Sequence, residues 1–352
     1  MASMKDFWSA AGFSVLNQIQ RLGIRSGEGD PDESALADAI ERVVEGANPK
    51  LRAVSGYRKK LRPYMQRALD HATRIATSIP GPLNCDRRTW TELGAVNAFF
   101  SGVQELQRVF SGSRELRALF EQQPILDEVF ALLTMKRQEA TTFGTDVNGE
   151  MLRRDVRQIT VGFSEHHVDM PSATEGELRE KLKARAFDVL ICQALKQIST
   201  REERLHEIET ELSKLRTKKK LLDTRSTSLE MAMIDTDARA EELKQLAERI
   251  SESEQALESA RAEFYELEDS IDVIAQVFGE PERYVALTEY CAFLNRLNVQ
   301  TSEEGADGAQ EVCVSELVLC HDLHRVVVVA RFPRSELQPE ELRLQEAERY
   351  LQ

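Results

Sequence analysis

Between Gly176 and Gly279 the chain carries neither glycine nor proline. A span of that length without the two strongest helix breakers exceeds an ordinary globular helix, so it reads as helix, either continuous or folded back on itself. In its first part Ile191, Ile198, Leu205 and Leu212 recur every seven residues, with Ala194, Ile208 and Leu215 at intervening seam positions. In its second part Leu243, Ile250, Leu257, Phe264 and Ile271 repeat the pattern, joined by Leu246, Ala260, Leu267 and Ile274.

Antiparallel arms require core positions to match as residue numbers rise on one arm and fall on the other. Leu212 with Leu243, Leu205 with Ile250, Ile198 with Leu257 and Ile191 with Phe264 satisfy one such register, and Ala194 falls opposite Ala260 within one residue of it. This register predicts a turn at Thr227-Ser228. There Thr227 and Glu230 have the spacing of a capping box, in which the hydroxyl and the carboxylate each satisfy an end amide of a new helix. Charge agrees: Glu177 to Leu222 holds 12 basic and 8 acidic residues, and Glu230 to Phe278 holds 4 basic and 14 acidic. Lys214, Arg216, Lys218, Lys219 and Lys220 are then expected to face Asp235, Asp237, Glu241 and Glu242.

The flanks have other periods. Trp8, Ala11, Val15, Ile19 and Leu22 predict an amphipathic helix over residues 5–23, and a second is expected from Glu33 to Glu45. A third opens at Pro49 with Leu51, Val54, Leu61, Leu69 and Ile75 as its stripe, and Pro63 is expected to kink or divide it. Shorter helical stretches are expected to hold Phe99, Phe100, Leu106, Phe110, Leu116, Leu119, Phe120, Ile125, Val129 and Phe130. Near Thr141 the pattern changes: Asn148-Gly149 suits a tight hairpin turn, and Ile159, Val161 and Phe163 alternate with polar neighbours as a strand does. A second hairpin is expected where EVCVSELVL and RVVVVARF enclose a short polar turn.

The expected fold is therefore mainly α. A helical domain spans 1–138, a β-hairpin 139–172, and an antiparallel coiled-coil hairpin 173–300 with its tip near 223–230. A second hairpin at 309–334 completes a small antiparallel sheet at the base, and a C-terminal helix covers 335–352.

Across 352 residues, 30% charged and only 6% aromatic side chains favour exposed helix over a large enzyme-like core. A net charge of -14 disfavours general attraction to nucleic acid or anionic lipid and leaves local basic patches as the route. The five cysteines at 85, 192, 291, 313 and 320 show no C-x-x-C spacing, which suits a reducing cytoplasm. No signal-peptide core or membrane-length apolar span is seen.

Phosphate-binding loops, dinucleotide fingerprints, nucleophile elbows and H-E-x-x-H helices are all lacking, so the chain is expected to be no enzyme and to need no cofactor. The favoured reading is a non-catalytic adaptor or scaffold whose coiled-coil tip binds one or more proteins, a second copy of itself included. Lys218, Lys219, Lys220 and Arg225 are the candidate partner-binding residues of the tip. The alternative is peripheral binding to anionic membrane or nucleic acid through the basic helix 50–74. Arg52, Arg58, Lys59, Lys60, Arg62, Arg67 and Arg74 decorate it with almost no acid, and Arg58, Lys59, Lys60 and Arg62 are its candidate contacts. A third reading needs a metal, with His166, His167, Cys320, His321 and His324 converging, although their spacing matches no known finger.

Overall fold

The computed structural model describes residues 31–92, 94–148, 151–225, 236–263, 267–301, 308–320 and 322–339. The expected helix at 5–23, the capping box at Thr227, the tip of the coiled coil beyond Arg225 and residues 340–352 of the expected C-terminal helix at 335–352 lie outside them, while Arg334–Glu336 is a 3-10 turn. In chain order the described elements are α1 (Pro31–Ala47), a 3-10 turn (Pro49–Ala53), α2 (Tyr57–Ser78) and β1 (Leu83–Asn84). Four short helices follow: α3 (Arg87–Thr91), α4 (Ala95–Phe99), α5 (Val103–Gly112) and α6 (Arg114–Gln122). Next come β2 (Glu128–Asn148), β3 (Met151–Ser172), α7 (Glu175–Arg225), α8 (Thr236–Glu263) and α9 (Leu267–Gly279). The last described strands are β4 (Val285–Leu294), β5 (Gln300–Thr301), β6 (Gln310–Leu319) and β7 (Leu323–Pro333). They divide into two compact units, Met1–Ala68 with Leu190–Glu280, and Leu69–Val189 with Pro281–Gln352.

The first unit is helical. Leu36, Ile40, Val43 and Val44 of α1 are buried, as are Leu51 and Val54 and, from α9, Ile271, Ile274, Val277 and Phe278. The helix expected to open at Pro49 is two elements, and the break is at Gly56 rather than Pro63. Gly56 has φ +73, a left-handed turn that glycine adopts without steric cost, whereas Pro63 lies on the exposed side of an α2 that continues through it.

The helical hairpin lies in this unit. Leu212, Leu246, Ile250 and Leu257 are buried together, with Leu205, Ile208, Leu215 and Leu222 packed against them. Arg216 reaches Glu254 at 2.6 Å, Arg261 reaches Glu209 at 2.6 Å, and Lys218 reaches Glu242 at 3.0 Å. The arms run antiparallel and basic meets acidic, but Arg216–Glu254 and Arg261–Glu209 set residues 209–216 against 254–261 in a different register from the expected one, while Lys218–Glu242 lies nearer to it. Leu257, expected opposite Ile198, instead shares a groove with Leu212. A slip by whole heptads keeps every seam residue in the seam, so the repeat alone could not choose between the registers.

The second unit is built on a seven-stranded sheet in the order β3-β2-β7-β6-β4-β5, with β1 lying parallel to β7. This overturns the expectation of a mainly α chain with a small sheet made from two hairpins. β2 and β3 do pair with each other, and β6 with β7, and β2 joins the two sets from Glu128↔Pro333 to Met135↔Val326. The sheet also takes in β4, which pairs along the whole of β6, and the short β5 and β1. The apolar run from Val129 to Met135, expected as helix up to Phe130, is strand. Val129, Ala131, Leu132, Leu133 and Met135 are buried toward both faces, so alternation is lost and period alone cannot identify the strand.

Helices cover both faces. On one, Leu133, Val326, Val328 and Phe332 meet Phe99, Phe100, Leu106, Phe110, Leu116 and Phe120, and the rings of Phe110 and Phe332 stack at 4.6 Å. On the other, Leu132, Val327 and Val329 meet Ala76, Ile79, Leu178 and Leu182. This double burial explains the unbroken run Val326-Val327-Val328-Val329 in β7, where β-branched side chains suit a pleated strand with apolar neighbours above and below.

Candidate partner-binding surfaces

The basic residues of α2 are less free than their spacing suggests. Tyr57 Oη donates to Glu41 at 2.6 Å, Arg58 Nε donates to the same carboxylate at 2.9 Å, and Arg52 Nε does so at 3.2 Å. Arg52 also pairs with Glu45. Partial burial pushes the Glu41 carboxyl up, but the hydrogen bonds from Tyr57, Arg58 and Arg52 outweigh it and hold the group below its ordinary value. Two of the cations that made this stretch look like a phosphate-binding face therefore dock α1 onto the Pro49–Ala53 turn and α2. Arg74, further along, pairs with Glu282 at 3.2 Å. Lys59, Lys60 and Arg62 stay on the exposed side of α2, opposite buried Leu61 and Met65.

The basic run on α7 divides in the same way. Arg216 and Lys218 are exposed yet bound to acidic residues of α8, and Lys219 is exposed beside them. Arg225 is the last residue of α7, and its side chain lies outside the described ones. Between α7 and α8 a groove of about 610 Å³ has Leu212 and Leu257 among its lining, with Arg216, Arg261, Glu209 and Glu258 beside them.

Among the described residues, those considered for a metal do not converge. Nε2 of His166 donates to the Phe99 carbonyl at 2.8 Å, and its ring stacks on Phe100 at 4.8 Å. Burial holds this histidine below its ordinary pKa, against the opposing pulls of the Phe99 carbonyl and Glu105. Among the described residues, His167, Cys320 and His324 form no metal-sized group with it, and His321 lies outside them. The expectation of unlinked cysteines also needs correction: Cys291 and Cys313 are joined by a disulfide. Spacing could not show this, because strand pairing rather than sequence proximity brings them together.

Two features of the sheet lie away from the candidate residues, the expected β2–β3 hairpin beyond the core and a charged cluster nearer to it. From Lys136 to Asn148, β2 extends past its last pair with β7 and keeps β3 as its ladder partner. On that ribbon Thr141 and Phe143 face Ile159 and Arg157, and Phe143 is 72% exposed. Nearer the core, Arg137 lies 4.0 Å over the Tyr290 ring, bridges to Glu316 at 3.4 Å and pairs with Glu139. Charged residues inside strands look like solvent-facing positions in a sequence, and only the packed sheet shows that these are half buried.

Among the described residues no helix is long and apolar enough to cross a membrane. No protein-family model, curated protein or solved structure matches this chain, so its function is argued from its own geometry.

Proposed function

We propose that this chain is a non-catalytic adaptor, a subunit of a larger cytoplasmic assembly, that captures one or more proteins through the α7–α8 hairpin. One observation carries the reading. The leucine and isoleucine residues of α7 and α8 pack against each other within the hairpin, and interhelical ion pairs flank them. The outward faces, Lys219 among them, are exposed along helices longer than a core of this size needs. Long two-helix arms with apolar seams and charged outer faces present side chains to other helices at low ordering cost.

The test replaces residues 213–256 by a short Gly-Ser turn, which joins the arms where Leu212 and Leu257 share a groove. Capture from native cells with quantitative mass spectrometry should lose specific proteins, while the variant keeps the thermal unfolding of the sheet unit. An unchanged set of captured proteins would refute the adaptor reading.

A second reading has the exposed Lys59 and Lys60 of α2 touching anionic lipid or nucleic acid. It requires binding that weakens steeply with salt and is lost when both lysines become glutamate. Vesicle flotation and gel-shift assays check it, and salt-insensitive or absent binding removes it.

A further inference from the structure

Strand alternation places Glu289, Cys291 and Phe293 on one face of β4, and Glu311, Cys313 and Ser315 on the same face of β6. The opposite face is core, where Ala292, Leu294, Val312 and Val314 are buried. Cys291 and Cys313 are direct partners across the pair, with Cα atoms 4.1 Å apart and a disulfide between them. Both are exposed. Glu311 sits diagonally to Cys291, and its carboxylate and the two sulfurs lie within 4.8 Å of one another.

We propose that Cys291, Cys313 and Glu311 form a redox-gated site for one thiophilic divalent cation of the zinc class, closed as the disulfide and open as the dithiol. Two sulfur ligands and one carboxylate are three of the four positions of a tetrahedral site, and the soft pair selects zinc or cadmium over magnesium or calcium. Glu289, diagonal to Cys313 on the same face, or water takes the fourth.

The chemistry balances with a low-molecular-weight thiol as reductant. Two such thiols give up two electrons and two protons, the Sγ–Sγ bond breaks, two protein thiols form, and the external thiols leave as their own disulfide. The cation then binds two thiolates and releases two protons to solvent. Metal–sulfur bonds of about 2.3 Å at a tetrahedral angle separate the sulfurs by roughly 3.8 Å, a spread suited to side chains on adjacent strands. The β4–β6 ladder and the side chains buried on its opposite face do not depend on the S–S bond, so gating needs no refolding of the sheet.

The test uses the full chain. Protein reduced with a phosphine, with the reductant removed anaerobically, is titrated with zinc against a chromophoric chelator and, separately, with cobalt. The expected result is one equivalent of zinc per chain and a thiolate-to-cobalt absorption band in the near ultraviolet. The disulfide form, verified by intact mass, should show neither. The variant E311Q should bind zinc about tenfold more weakly, within the range seen when one contributor to a metal site is lost. C320S should match the wild type and reports on the remaining thiols. If the reduced wild type gives no more cobalt band than the C291S/C313S double variant, there is no site. Equal zinc affinity before and after oxidation would overturn the gating, and full affinity in E311Q would overturn the carboxylate's role.

Discussion

Arg216 donates to Glu254 across the α7–α8 hairpin at 2.6 Å. In the register that pairs Leu212 with Leu243, Arg216 would instead lie near Asp237 and Glu241. The ion pair, with Arg261 to Glu209, therefore places residues 209–216 against 254–261 in one of several registers that a heptad repeat allows. Cysteines placed at 216 and 254 should cross-link within one molecule, and cysteines at 212 and 243 should not, as read by mass spectrometry of the cross-linked peptides. Both partners of the ion pair are about half exposed, so Arg216→Ala should cost well under about 1 kcal/mol. Leu212→Ala, which opens the buried seam, should cost about 2 kcal/mol or more.

The hairpin shows how far sequence reasoning reaches. Its existence, its antiparallel sense and its charge division were legible, because the heptads and the basic and acidic arms are local patterns. Its register was not, since Ile198, Leu205 and Leu212 are interchangeable to a repeat of seven. The sheet was legible in its two hairpins, where Asn148-Gly149 and the polar turn after Leu319 mark reversals. It was not legible at Val129 to Met135, where burial on both faces erases alternation. Among the candidate site residues, Arg58 was expected to be available to partners and Glu41 binds it, whereas Lys218 meets Glu242, one of the acidic residues its arm was expected to face. Lys59, Lys60 and Lys219 keep the exposure their sequence implied. The Cys291–Cys313 pair could have been found only by aligning EVCVSELVL against VALTEYCAFL, and the latter carried no strand signal strong enough to set beside the helical reading of its neighbours.

Arg334 closes the end of α6. Its guanidinium donates to the carbonyl oxygens of Leu126, Phe120 and Gln123, each at 2.8 Å, and stacks 4.5 Å over the Phe120 ring. These carbonyls lie at and just beyond the helix C-terminus, where intrahelical donors run out and a cation is favoured. Arg334→Ala should lower stability by about 2–3 kcal/mol in denaturant unfolding, the cost of charged hydrogen bonds lost from a partly buried site. Arg334→Lys should recover only part of this, because an ammonium cannot reach three carbonyls with one planar fork. An alanine variant within about 0.5 kcal/mol of wild type would show that water replaces the fork.

Gly81 is set by β7. Its φ is +127, and a Cβ built on it would lie 2.3 Å from the Val329 carbonyl oxygen, closer than any real contact. The neighbouring Pro80 carbonyl accepts from Val329 N at 2.8 Å, so the backbone has no slack on that side. Gly81→Ala combines an unfavourable left-handed residue with a backbone clash and should destabilise the fold well beyond the about 1 kcal/mol of an ordinary glycine replacement. Reduced soluble yield and a lower unfolding midpoint are expected, with Gly102→Ala, which meets nothing within 4 Å, as the mild control.

His166 makes the sheet unit sensitive to acid. Burial holds its pKa below the ordinary value of 6.5, so the folded state resists protonation more than the unfolded state does. A depressed pKa contributes stability that is complete above the unfolded value and is lost as pH falls from there through the folded value. Unfolding free energy measured from pH 8 downward should therefore begin to fall near pH 6.5 and keep falling below it, before most carboxylates titrate. His166→Phe keeps a ring to stack on Phe100 but leaves the Phe99 carbonyl without its imidazole donor, so it should cost about 1 kcal/mol at pH 8. In that variant the loss between pH 7 and pH 5.5 should shrink. If the two proteins lose stability in parallel across that interval, the acid sensitivity belongs to another group and the depressed His166 is not its source.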